Sequence, residues 1–271
     1  MTGGSAVDAD SVIAALNEEW AALRELFGTL SDDQFAAPSV LPGWSNADVL
    51  AHVIGTESLL AGRPLPEHDV SGRAHVRNQI GELNEKWLDE LRGRDRSTLL
   101  ADFDAITAER STSLAAMSEE ELAAETMTPA GPDSYARFMR IRVFDCWIHE
   151  LDVRDGLGLT PPLTAGPAAV AVDEAAASLP YVLAKRVGVP PGNTVAFALT
   201  GLVDRVLVVE VGERARLVPP GGAAPDVALD LDTCDFFRLI GGRRDADPAS
   251  VRVVGDRELG EQIAANLAYT I

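Results

Sequence analysis

Apolar residues recur at helical spacing from Val12 to Gly158 and at strand spacing after Pro191. Val12, Ile13, Leu16, Trp20, Leu23, Leu26, Phe27 and Leu30 form a first stripe, with Asp8, Asp10 and Ser11 offered as caps. A loop with Pro38, Pro42 and Gly43 leads to GWSNADVLAHVIGTESLLAGR, where Ser45 and Asp48 have capping-box spacing and predict a second helix from about Asn46. Its core face is Val49, Leu50, Val53, Ile54 and Leu60, with His52 at or beside the buried side. Residues from about Ala74 to Ser118 read as one long helix or two consecutive ones, and Pro129, Gly131 and Pro132 as a loop. Asp133 or Ser134 caps a further helix that ends near Gly156 and Gly158. Helices joined by short connections predict an antiparallel four-helix bundle over residues 1–158.

The Pro/Gly-rich segment LTPPLTAGP interrupts the period, and a domain boundary is expected there. A helix over about Ala168–Arg186 follows. NTVAFALTG, RVLVVEVG, ARLVP, DVALDLD and VRVVG read as strands, with short helices at Asp232–Leu239 and Glu258–Tyr269. Residues 167–271 are therefore expected to form a smaller α+β domain.

The stretch RIRVFDCWIHELDVRDG, Arg140 to Gly156, concentrates the chemistry. On a helix, Arg142, Asp145, His149 and Asp152 share one stripe, while Phe144, Trp147, Ile148 and Leu151 give the segment apolar surface to bury. A carboxylate and an imidazole one turn apart can grip one divalent metal ion from a single rigid element, and His52 is the candidate third ligand. The competing reading of Asp145 and His149 is a helix-surface ion pair worth a few tenths of a kcal/mol. Three N and O ligands would leave a fourth position open, as in catalytic zinc sites. Asp152 either orients the His149 ring or is a solvated carboxylate at the helix end. Arg142 either holds an anionic substrate or pairs with a neighbouring carboxylate. Cys146 points about 100° away from the stripe and reads as a packed small residue. Trp44 reads as a staple closing the bundle, and His68 and His75 as exposed loop residues.

Composition narrows the partners. A net charge of −19 argues against non-specific binding to nucleic acid or an anionic membrane. Cys146 and Cys234 show no CxxC pairing, which suits a reducing compartment. The N-terminus MTGGSAVDAD has no apolar signal region, and no run of about 18 apolar residues is present to span a membrane, so a cytoplasmic location is expected. P-loop, GxGxxG and GxSxG patterns are absent, which disfavours nucleotide, NAD and serine-hydrolase chemistry.

The segments LPGWSNADVLAHVIG and DCWIHELDVRDGLG together resemble the mycothiol-dependent maleylpyruvate isomerase family of actinobacteria. The tail DLDTCDFFRLIGGRRDADPASVRVVGDRELGEQI is similar to that family's smaller C-terminal domain. The resemblance implies a DinB-like four-helix bundle followed by a sterol-carrier-like α+β domain. It also implies a zinc ion bound by His52, Asp145 and His149, with Asp145 standing where the family usually has glutamate. Mycothiol, as thiolate, would attack a small electrophile. A cis enone acid such as maleylpyruvate would then be isomerised, whereas a substrate with a leaving group or an epoxide would undergo S-transfer. A substrate-binding arginine from the C-terminal domain is also implied, with Arg238 the candidate beside Arg243 and Arg244. The enzyme would act as a monomer or homodimer. The alternative is a non-catalytic binding protein that keeps the fold and holds an apolar ligand.

Overall fold

The computed structural model describes residues 7–161, 164–243 and 246–270. The chain divides into two compact units between Val170 and Ala171.

The first unit is built on four long helices: α1 (Ala9–Thr29), α3 (Asn46–Leu60), α5 (Arg96–Ala116) and α7 (Tyr135–Gly156). Short helices α2 (Asp32–Ala36) and α6 (Glu119–Ala123) lie between them, and α4 (Gln79–Leu91) packs on α3. Local sequence sets the starts of these helices. Ser45 and Asp48 form a reciprocal capping box on α3, and Ser134 caps α7 by accepting from the Arg137 N–H. The stretch read as one or two helices from Ala74 is two. The first begins only at Gln79, because Asn78 caps it by accepting from the Gly81 N–H. Gly93, at φ 87°, turns the chain between α4 and α5. The expected loop around Gly131 is the tip of a two-stranded hairpin, β1 (Glu125–Thr128) with β2 (Gly131–Ser134), where the Thr128 hydroxyl donates to the Gly131 carbonyl at 2.7 Å.

Apolar faces meet in one core formed by Leu16, Leu23 and Phe27 of α1, Val49, Leu50 and Val53 of α3, Phe103 and Ile106 of α5, and Met139, Val143 and Cys146 of α7. Burial of such side chains contributes roughly 1.5–3 kcal/mol each. Gly55 lets α4 approach α3, since a Cβ there would collide with the Trp87 side chain.

The second unit follows the division, which falls inside α8 (Ala165–Tyr181). A π-helical turn, Val182–Val187, extends that helix to Gly188. Five strands then form one sheet in the order β5 (Ala215–Val218), β4 (Arg205–Val211), β3 (Thr194–Thr200), β6 (Val227–Asp232), β7 (Arg252–Gly255). β3 and β6 are parallel and the other neighbours antiparallel, so Phe197 lies opposite both Leu207 and Leu229. Helices α9 (Thr233–Ile240) and α10 (Arg257–Ala265) complete the unit, with Phe236, Phe237 and Ile263 fully buried. The architecture is thus an α bundle followed by an α+β unit. Among the described residues no helix is long and apolar enough to cross a membrane.

Candidate metal centre

The helical stripe on α7 faces α3. His52 Nε2 lies 3.0 Å from Asp145 Oδ2, and His149 Nε2 lies 3.6 Å from Asp145 Oδ1. One ligand atom from each of the three residues lies within 4.8 Å of the others. Donors sharing a tetrahedral ion at about 2 Å are themselves about 3–3.5 Å apart, so a modest inward shift of these side chains would let the three grip one divalent ion. Both imidazoles are buried, while the Asp145 side chain keeps 29% of its surface, so access is from the carboxylate side.

Protonation states favour ligation. Burial depresses the His52 pKa against the opposing pull of Asp145, leaving a neutral imidazole. At Asp145, burial alone would raise the pKa, but the hydrogen bond with His52 and the Arg142 guanidinium outweigh it and hold the carboxyl well below its usual range. Asp152, itself buried, places Oδ2 3.0 Å from His149 Nδ1. That contact fixes the ring so that Nε2 faces the other two ligands, the usual outer partner of a metal-binding histidine. The corresponding Nδ1 of His52 is buried with no hydrogen-bond partner.

Arg142 is 3% exposed. Its Nε donates to Glu57 Oε1 at 2.8 Å and its Nη1 to Asp145 Oδ2. Of the two roles open to it in the sequence, pairing with a carboxylate is the one its contacts display. Neither Glu57 nor Arg110 stood out in the sequence, yet Arg110 Nε donates to the second oxygen of Glu57 at 3.0 Å. A signal was present: Arg110 continues the core stripe Phe103, Ile106 at helical spacing, where a charge requires a buried partner.

Trp44 does more than close the bundle. In Leu41-Pro42-Gly43-Trp44 the Trp44 N–H donates to the Leu41 carbonyl at 3.2 Å, with Gly43 at φ 84°, a type II turn. The turn sets the indole 5.3 Å from the His52 ring and 6.1 Å from that of His149, centroid to centroid. Its N–H donates to Glu85 Oε1 at 2.8 Å. Glu85 is fully buried and also contacts His75 Nε2 at 2.7 Å, Arg92 Nη1 at 3.1 Å and Arg73 Nε at 3.2 Å. His75 is therefore a tether for the irregular segment between α3 and α4, whereas His68 makes a partly exposed pair with Glu90.

Cys146 is buried in the core, and burial pushes its thiol pKa well up despite Arg142 nearby. Arg238 belongs to the second unit, on α9, where Nη1 donates to Asp235 at 2.7 Å. Arg243 donates to the Gly241 carbonyl, and Arg244 lies outside the described residues.

Fold and site together define a helical-bundle protein whose candidate metal centre is made of two histidines and a carboxylate. The family model for the mycothiol maleylpyruvate isomerase N-terminal domain matches residues 16–154, more than half of the 271, and the chain belongs to that family. It is an enzyme of that isomerase class. A crystal structure of the mycothiol-dependent maleylpyruvate isomerase shares its fold at 15% identity and a TM-score of 0.62, covering 93% of this chain and 95% of that one. A mutant of that isomerase gives 14% identity and a TM-score of 0.61 at the same coverage. No curated protein matches the chain.

Proposed function

We propose that the protein is a zinc-dependent, mycothiol-dependent isomerase acting on a small cis enone acid of the maleylpyruvate kind. The observation that carries this reading is the gathering of one ligand atom each from His52, Asp145 and His149 within 4.8 Å of one another, with the Asp145 side chain 29% exposed. Bound there, a divalent ion supplies the Lewis acidity that lets a coordinated thiol lose its proton at neutral pH.

The chain's own residues support the chemistry as follows. His52 presents a neutral nitrogen donor, and Asp152 holds the His149 ring in place. Trp44 forms an apolar wall beside both rings. The protein offers no thiol of its own, because Cys146 and Cys234 are both buried. An external low-molecular-weight thiol is therefore required, and family membership points to mycothiol. Addition of the thiolate to the substrate double bond leaves a single bond that can rotate. Expulsion of the same thiolate then restores the double bond in the trans form, with no net change in thiol. A substrate that carries a leaving group would keep the sulfur instead, which is S-transfer. No observation favours the non-catalytic alternative.

The test is metal content of protein purified without chelator, together with cis-to-trans conversion of maleylpyruvate followed with and without mycothiol. About one zinc per chain and thiol-dependent conversion are expected. Metal-free protein that takes up no zinc and converts nothing would overturn the reading.

A further inference from the structure

Three buried charged side chains on three helices form a continuous chain that ends on half-buried Asp145 of the candidate metal centre. Arg110 on α5 donates to Glu57 Oε2 at 3.0 Å. Glu57 on α3 accepts from Arg142 on α7 at 2.8 Å through its other oxygen, and Arg142 in turn donates to Asp145. Arg110 is anchored at its far end by the Tyr135 hydroxyl at 2.9 Å and the Met139 sulfur at 3.3 Å. Glu57 is 0% exposed, and Arg110 and Arg142 are each 3% exposed.

Taking such groups out of water costs several kcal/mol per ion, and buried pairs of this kind are often no more stabilising than apolar residues of the same volume. Stability alone is a poor reason for the arrangement. What it does achieve is orientation. The Asp145 carboxylate is set by rotation about two bonds, Cα–Cβ and Cβ–Cγ, and the Arg142 guanidinium is a rigid planar donor that restricts both. With its Nε committed to Glu57, the guanidinium cannot swing toward solvent, so its Nη1 stays against Asp145 Oδ2. That same oxygen faces His52 Nε2 at 3.0 Å.

We propose that Arg142 is a positioning residue for the metal centre: locked by Glu57 and Arg110, it sets the direction in which the Asp145 carboxylate meets the ion. The inference rests on the metal reading above. It assigns Arg142 no contact with substrate, and it gives α3 and α5 a part in metal affinity through residues that touch no ligand atom of the ion.

The experiment uses the full chain, stripped of metal, with zinc titrated against a chromophoric chelator and circular dichroism confirming the fold. Arg142→Gln should weaken zinc binding about 10- to 100-fold, the range seen when outer partners of metal ligands are removed. Arg142→Lys should recover part of the loss. The double variant Glu57→Gln/Arg142→Gln, in which Arg110 keeps the Tyr135 hydroxyl and the amide oxygen introduced at position 57, should bind zinc as weakly as Arg142→Gln. If Arg142→Gln does not fold, the double variant decides. Parent-like affinity in whichever of these folds overturns the proposal, as does a double variant far weaker than the single one. If the parent itself takes up no zinc, the metal reading fails, and crystal structures of parent and double variant settle the positioning claim. A carboxylate that turns away in the variant supports it, and one that stays in place overturns it.

Discussion

Asp152 Oδ2 lies 3.0 Å from His149 Nδ1, one turn along the same helix and out of contact with solvent. The bond leaves only Nε2 of that ring to face Asp145 and His52. Removing it should free the ring without disturbing the helix. Asp152→Ala is therefore expected to keep the parent's circular dichroism while losing about 10- to 100-fold in zinc affinity by chelator competition. Affinity equal to the parent's would show that the ring is held by packing alone.

His149→Ala should lose both bound metal and thiol-dependent activity, while Asp145→Glu should stay folded and still bind zinc. Thermal melts with and without zinc read this directly, because an ion that binds only the native state raises its stability. At a free zinc concentration of about 100 times Kd the parent should gain about 2.7 kcal/mol, and His149→Ala should gain nothing. A zinc-dependent shift in His149→Ala matching that of the parent would reduce the Asp145–His149 contact to a helix ion pair.

Glu19 on α1 is fully buried with neither oxygen accepting a hydrogen bond, beside buried Glu150 of α7. Burial, and secondarily the Glu150 charge, raise its pKa well above the usual value, so the carboxyl is held protonated and can donate to Glu150. An acid whose folded pKa is raised stabilises the fold fully below its unfolded pKa of about 4.3, and this contribution declines as pH rises toward the folded value. Glu19→Gln should remove that dependence, so that the variant gains on the parent as pH rises from acid to neutral. Denaturant melts from acid to neutral pH check it: the difference between variant and parent must widen as pH rises, and a constant or shrinking difference would refute the assignment.

Gly55→Ala should destabilise the bundle by about 1–3 kcal/mol through overpacking against Trp87. Urea melts measure it, and a variant at least as stable as the parent would mean that α4 can move aside at no cost.

Much of this protein was legible without coordinates, because the relevant interactions are local. Capping boxes, the stripe Asp145–His149–Asp152 and the alternation of β3, β4 and β6 each involve residues within a turn or a strand of one another. Their spacing follows from helix and strand geometry. The switch from helical to strand period after Pro191 marks the sheet of the second unit, whereas the division itself falls earlier, inside α8. The hairpin at Gly131 and the late start of α4 were not readable, since each depends on turn residues whose weak local preferences are settled by pairing and packing.

The sequence by itself determined which side chains share a face of α7; it did not determine what that face meets. Arg142 had two roles open because its partner Glu57 lies 85 residues away, and only the packing of α3 on α7 brings the two together. Trp44 was legible as an apolar residue before a helix, yet its place against His52 and His149 comes from a type II turn anchored on Glu85, 41 residues on. Burial then decides the charge states. Arg110, Glu57 and Arg142 read as ordinary charged residues in a string of letters, and they become a fixed chain only where the bundle has excluded water and set each against the next.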